Sequence, residues 1–247
     1  MKILSYLGFL MFAVAVIACG PGKQGEDAEV SEAKEVEEVV ASTEYSISTE
    51  NSTVGWIGSK PTGKHNGSIP ITSGTIATED GQIVGGTIEL SVADIQNNDL
   101  AENQEMQDKL LNHLKSADFF HADSFPTAQF VITSVAEYTE ADKPEGKEQF
   151  DTENKPVSAD QFMVDSPTHK ITGNLTMRGK TLSITFPASV MMSDGQVMAK
   201  AKFNIDRTNW GLMYGDEASV VDKAKDKFIY NTVNVSFDIT ANEQQNM

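Results

Sequence analysis

Between Ile171 and Val190 apolar and polar side chains alternate with a period of two, and this alternation constrains the fold more than any other feature of the chain. Leu182, Ile184, Phe186, Ala188 and Val190 alternate with Thr181, Ser183, Thr185 and Ser189, so one face of a strand is apolar and the other is wet. Met177-Arg178-Gly179-Lys180 supplies a tight turn before it, because Gly179 accepts a positive φ. The pattern recurs where Val197, Ala199, Ala201, Phe203 and Ile205 oppose Lys200 and Lys202, and where Val233, Val235, Phe237 and Ile239 oppose Asn234, Ser236 and Asp238. Each such strand has one dry face, which must be buried against a second sheet or by closure of the sheet on itself.

Strands are predicted over Ser52–Gly58, Ile69–Thr78, Val84–Ile95, Ala128–Val135, Lys170–Met177, Thr181–Val190, Val197–Asp206 and Phe228–Thr240. Asp80-Gly81 and Asp194-Gly195 read as hairpin turns, and the dense spacing predicts an all-β antiparallel meander within one domain. About eight strands is the size at which closure leaves an interior filled by side chains or able to hold one small ligand. Small inward positions (Gly85, Gly173, Ala188, Ala199, Ala201) are expected to leave room. A single helix is predicted from about Leu100 to Lys115, with Asp99 and Glu102 at capping-box spacing and Met106, Leu110, Leu111 and Leu114 as its apolar stripe, placed to cover an open end. Residues 138–168, rich in Glu, Asp, Lys, Pro and Ser, read as a long acidic loop rather than a strand pair.

The N-terminus carries Lys2, an apolar run from Ile3 to Ile17, and then Cys19. Residues 1–18 read as an export signal, and Val16-Ile17-Ala18-Cys19 resembles a bacterial lipobox, which makes Cys19 the expected lipidation site. Cys19 is the only cysteine, so no intrachain disulfide can form. Residues 19–44, dense in Glu and Asp, read as a flexible tether to a folded region at 45–241. The formal net charge of −17 disfavours a nucleic-acid partner and any membrane attachment through basic residues, so contact with a cell-envelope membrane is expected through the lipid alone.

The four histidines, His65, His113, His121 and His169, form no HxH or HExxH pair, so neither a metal site nor a cofactor is expected; convergence of His121 with Asp118 or Asp123 is the arrangement that would alter this. There is no Gly-x-Ser-x-Gly elbow, phosphate loop or Rossmann fingerprint, and the lone cysteine sits at the lipidation position. No catalytic residue is nominated.

Three segments carry a family resemblance. Leu114-Lys115-Ser116-Ala117-Asp118-Phe119-Phe120 with Phe125-Pro126-Thr127-Ala128-Gln129-Phe130, then Ile171 to Gly179, then Asn204-Ile205-Asp206-Arg207-Thr208-Asn209-Trp210-Gly211-Leu212 resemble, in order, three signatures of the YceI-like family. The chain departs from the family pattern at His121, at Phe125 and in the length of the acidic loop. The resemblance implies an eight-stranded lipocalin-like barrel without enzymatic activity, whose apolar pocket holds a polyisoprenoid or another long-chain amphiphile. The expected lining is Trp56, Phe119, Phe120, Phe130, Leu175, Leu182, Ile184, Phe186, Phe203 and Trp210, where each buried methylene of a ligand contributes about 0.8 kcal/mol. Plain core packing is the competing expectation for most of these aromatics. Arg207 is expected either to pair within the protein or to meet a head group. The alternatives are a small envelope enzyme using His121 or His169 with a carboxylate, and a stress-related interaction protein whose barrel is filled.

Overall fold

A computed structural model describes residues 28–36, 41–193, 195–219 and 227–244. Its strands are β1 (Glu29–Glu32), β2 (Thr43–Ile47), β3 (Thr53–Lys60), β4 (Gly63–Ile69), β5 (Ile71–Glu79), β6 (Gln82–Ser91), β7 (Gln96–Asn97), β8 (Thr127–Glu137), β9 (His169–Met177), β10 (Lys180–Ser193), β11 (Gln196–Asp206) and β12 (Thr232–Glu243), with one helix, α1 (Gln104–Lys115), between β7 and β8. β2 and β3 both pair with β12 on one side, and with β5 and β4 on the other. They are thus one barrel strand interrupted at 48–52, and β4 with β5 and β6 with β7 are two more. These three join β8, β9, β10, β11 and β12 in a closed antiparallel ring of eight.

The turns follow their sequences: Asp80 and Gly81 have φ of 49° and 75°, and Arg178 and Gly179 have 50° and 73°, the paired positive values of a two-residue hairpin. Asp194 lies outside the described residues, as do Cys19 and the whole of 1–18. The short polar strand Gly63–Ile69 is not legible from alternation, since Lys64, Asn66 and Ser68 alternate only with Gly63, His65 and Gly67; its partner β3 holds it in place. The last strand starts at Thr232 rather than Phe228. The helix starts at Gln104, not Leu100, because Asn103 is its cap, accepting from the Met106 N–H at 3.2 Å. Asp99 is engaged elsewhere.

Within the stretch read as a tether, Glu29–Glu32 form a strand against Leu182–Thr185 of β10. β10 pairs with β11 only from Ala188 onward, so the two strands fork toward the helix end, and β1 occupies the fork with the Ala28 N–H donating to the Asn204 carbonyl at 2.7 Å. The acidic loop contains one 3₁₀ turn, Glu140–Asp142, and straps the outer face of β11 and β12. There the Val157 carbonyl accepts from the side-chain amides of Asn204 and Asn234, both at 2.9 Å, which satisfies two amides that the strap itself buries.

Candidate functional site

The three motif segments meet at the end of the barrel where α1 lies. From the β9–β10 turn, Arg178 donates to the carbonyl of Gly211 and, at 2.8 Å, to that of Ala117. Phe125 lies against the same turn, with Cε1 2.7 Å from where a Cβ on Gly179 would stand. The Trp210 indole N–H donates to the Leu175 carbonyl at 3.0 Å. Arg207 is buried, and its guanidinium donates to the carbonyls of Tyr230 (3.2 Å), Ile229 (3.0 Å) and Leu212 while lying 5.8 Å over the Phe119 ring. Burial pushes its pKa down, and the charges of Asp216, Asp206 and Glu217 oppose that shift. Arg207 and Trp210 therefore clamp the end of the barrel. Of the alternatives for Arg207, pairing within the protein is the one realised.

Register places the other nominated residues on the inner face of the barrel. Phe130 stands opposite Leu175, Leu175 opposite Leu182, and Ile184 opposite Gly173. Phe186 and Phe203 stack at 4.1 Å with 5° between their planes, and Phe130 and Phe237 flank Phe186 at 5.7 and 5.5 Å. The expectation that small inward residues leave room meets a correction here. A Cβ on Gly173 would lie 2.3 Å from the Phe130 ring, one on Gly74 2.5 Å from Ile47, and one on Gly67 2.8 Å from the Trp56 ring. At Gly173 and Gly74 the vacated space is taken by a large side chain, the small-against-large filling of a narrow barrel, and at Gly67 the Gln96 carbonyl oxygen, 1.9 Å away, stands closer than the Trp56 ring. Away from the helix, Ala188, Val197, Ala201, Ile239 and Ala241 are buried to within 1 % and pack solidly.

The inner face of β3, β4 and β12 differs. Val54, Ile69, Val233, Val235 and Phe237 are only half-buried although they pack against the core, and they adjoin one another in register, with Val54 opposite both Ile69 and Phe237 and Trp56 opposite Val235. Leu175, Leu114 and Phe120 are half-buried as well, while Phe119 is packed between His113, Tyr214 and Arg207. No side chain of α1 is fully buried. The helix is fixed at its start, where Gln107 donates to the Asn97 carbonyl at 2.8 Å. Of the residues on this half-buried wall, only Trp56 is among those nominated from sequence. The alternation in Val233–Ile239 marks their inward direction, but nothing in it tells an inward residue that is covered from one that is not.

The polar groups of this end serve structure. Asp99 accepts from the Asn66 N–H (2.8 Å), His65 (2.8 Å) and the Asn97 amide (2.6 Å), tying the segment before α1 to β4. Burial pushes the Asp99 carboxyl up, but these three hydrogen bonds outweigh it and leave its pKa below the ordinary value. His121 meets the Ser124 hydroxyl and His169 that of Thr168, whereas the imidazoles facing carboxylates are His65 and His113, the latter 3.3 Å from Asp118. His121 thus converges with neither Asp118 nor Asp123, and the described residues contain no cluster of three or more His, Cys, Asp or Glu able to hold a metal ion. A cavity of about 240 Å³ lies at the β10–β11 fork, lined among others by Ala28, Asp142, Lys170, Phe186 and Phe203.

Three comparisons bear on this arrangement. The profile of the YceI-like domain matches residues 45–241. No curated protein matches the chain in sequence. Among solved structures, BcnA of Burkholderia cenocepacia superposes with a TM-score of 0.54 at 15 % identity, covering 78 % of this chain and 98 % of that one. A polyisoprenoid binding domain from Saccharophagus degradans, implicated in plant cell wall breakdown, gives 0.53 at 14 % identity, covering 81 % and 98 %.

Proposed function

Because this chain belongs to the YceI-like domain family, we propose that it binds or carries an extended amphiphile, an isoprenoid or fatty chain, in the helix-end half of its barrel. The observation that carries the reading is the half-buried apolar wall of Val54, Ile69, Val233, Val235 and Phe237 under a helix with no fully buried side chain. Apolar surface left half-covered inside a barrel gains about 25 cal/mol per Å² when a chain covers it. From Val233 to Phe237 the wall runs four residues, about 13 Å at the strand rise. A longer chain fits only if Phe237 and the Phe186–Phe203 stack move aside. The binding activity of the Saccharophagus domain supports the ligand class by analogy. A binding rather than catalytic role is the reading that a half-buried apolar wall supports.

We further propose that the protein is anchored in a bacterial envelope membrane through lipid on Cys19. With Ala28 fixed at the β10–β11 fork, eight residues separate that cysteine from Ala28, a reach of at most about 30 Å. The barrel then stays close to the bilayer from which an amphiphile comes.

Native mass spectrometry of gently purified protein, followed by organic extraction, tests the ligand. An extended amphiphile of defined mass is the expected result, and protein that is empty and refuses prenyl and acyl chains would refute it. Mass spectrometry of the N-terminal peptide tests the anchor, which fails if Cys19 lacks diacylglycerol. The filled barrel of an interaction protein is the second reading, favoured by the glycine-filling rings and the solid far half. It requires that no chain bind even after α1 is loosened by Gln107→Ala.

A further inference from the structure

Resting on the amphiphile reading, the geometry points to Trp56 as the group that receives the ligand's polar end, and to an uncharged oxygen, an alcohol or a carbonyl, as the chemistry of that end. The Trp56 indole nitrogen is buried and has no hydrogen-bond partner among the described residues. Its counterpart Trp210 is fully buried and satisfied by the Leu175 carbonyl. Buried donors are paired in native proteins, and an exception at a concave apolar wall marks a place where a ligand or water completes the bond.

The position of the ring is fixed. Trp56 stands opposite Val235 on one side and Gly67 on the other, with its ring edge 2.8 Å from the point a Gly67 Cβ would occupy and 3.9 Å from that of Gly58. At Gly67 a Cβ would also fall 1.9 Å from the Gln96 carbonyl oxygen, so only glycine fits between that carbonyl and the indole, while Gly58 stands at ordinary contact distance. Toward the far half, the next positions on the same face are Val54, Ile69 and Phe237, which offer the chain its apolar contact. The other buried hydroxyls without a partner, Ser59 and Ser183, fall on the outward phase of β3 and β10 and do not compete for this role.

The charges around the indole select the head group. Opposite Gly58 on the helix side, the inward position is His65, held to the Asp99 carboxylate at 2.8 Å, so the charge that the register brings beside this part of the wall is an anion with its partner. Arg207, the buried cation of this end, spends its donors on three carbonyls. Lys60, on the same phase of β3, stands exposed at the mouth four residues from Trp56, so an anionic head held at the indole would lie inside the apolar wall beyond that lysine and beside Asp99, whereas one neutral acceptor matches one indole N–H.

The test uses three probes of one chain length, a prenyl alcohol, its phosphate monoester and the corresponding hydrocarbon, with the wild type and Trp56→Phe. The alcohol is expected to bind the wild type about tenfold more tightly than the variant, the difference of one well-made hydrogen bond. The hydrocarbon binds both alike, and the phosphate monoester binds the wild type more weakly than the alcohol. In a ¹H–¹⁵N spectrum the Trp56 indole resonance shifts downfield with the alcohol while that of Trp210 stays in place. Equal alcohol affinity in both proteins, or an unmoved Trp56 resonance at saturation, overturns the assignment and leaves the amphiphile reading standing. A preference for the phosphate overturns the neutral head. Failure of all three probes to bind removes both readings together.

Discussion

Phe186 and Val235 both point into the barrel, yet Phe186 is 2 % exposed inside a stack of aromatic rings and Val235 is half-buried beside an unpaired indole. The two walls they stand for share one strand pattern. The β8–β11 wall carries large residues whose rings reach over glycine and alanine neighbours, and it closes on itself. The β3, β4 and β12 wall carries valines, an isoleucine and, at its far end, Phe237, which meets Phe186; its valines and isoleucine are too short to reach across, and Gly67 leaves room for the Trp56 ring edge. Stability therefore concentrates on one side and available apolar surface on the other.

Removing the ring at the centre of the packed wall has the largest expected effect. Phe186→Ala should lower the unfolding free energy by about 3–5 kcal/mol in urea titrations, through lost transfer energy and the cavity left behind. A loss below 1 kcal/mol would mean that this wall is as loosely covered as the other. Gly173→Ala comes next, because its methyl carbon would sit 2.3 Å from the Phe130 ring and 2.6 Å from the Val131 carbonyl. Overpacking of this kind costs about 1–3 kcal/mol, and Gly173→Ala combined with Phe130→Leu should recover part of it.

On the open wall the balance reverses. Val235→Ala should cost only about 1 kcal/mol of stability while weakening displacement of a fluorescent fatty probe several-fold. An equal loss of stability on both walls would erase the distinction between them.

The smallest effect concerns neither wall but the strap outside them. The hydrogen bond from Lys170, with those from Thr139, holds the Asp142 carboxyl down to about 2, from an ordinary value of 3.8. Because the folded-state value is the lower one, the contribution is complete above about pH 4 and disappears as pH falls through about 2. Thermal melts of wild type and Asp142→Asn should therefore differ slightly at pH 6 and converge near pH 2; a gap that widens on acidification would show that another group is responsible.

Much of the barrel is legible in the sequence. The alternation at Leu182–Val190, Val197–Ile205 and Val233–Ile239 predicts three wall strands and their inward faces, and Asp80-Gly81 and Arg178-Gly179 form the turns their sequences call for. The strand at Gly63–Ile69 stayed hidden because its inward positions at 63, 65 and 67 are Gly, His and Gly, which give no hydrophobic signal. Asp99 looks like a helix cap by spacing alone, but a side chain that can also reach the Asn66 N–H and His65 is held there, and Asn103 takes the cap. The nominated pocket residues are large, apolar and inward, properties that core and pocket share, and Phe130, Phe186 and Phe203 cover one another.

What the sequence by itself determined is local and periodic: which residues form strands, which face of each is dry, where the hairpins turn, and hence that the dry face must be buried, against a second sheet or by closure. Only the tertiary structure decided which part of the dry interior is filled, because that depends on pairings between residues far apart in the chain. Phe130 covers Gly173, Ile47 covers Gly74, and β1 enters a fork that opens where β10 and β11 part at Ala188. A period of two tells a side chain which way to point; what it meets there is set by the strands brought opposite.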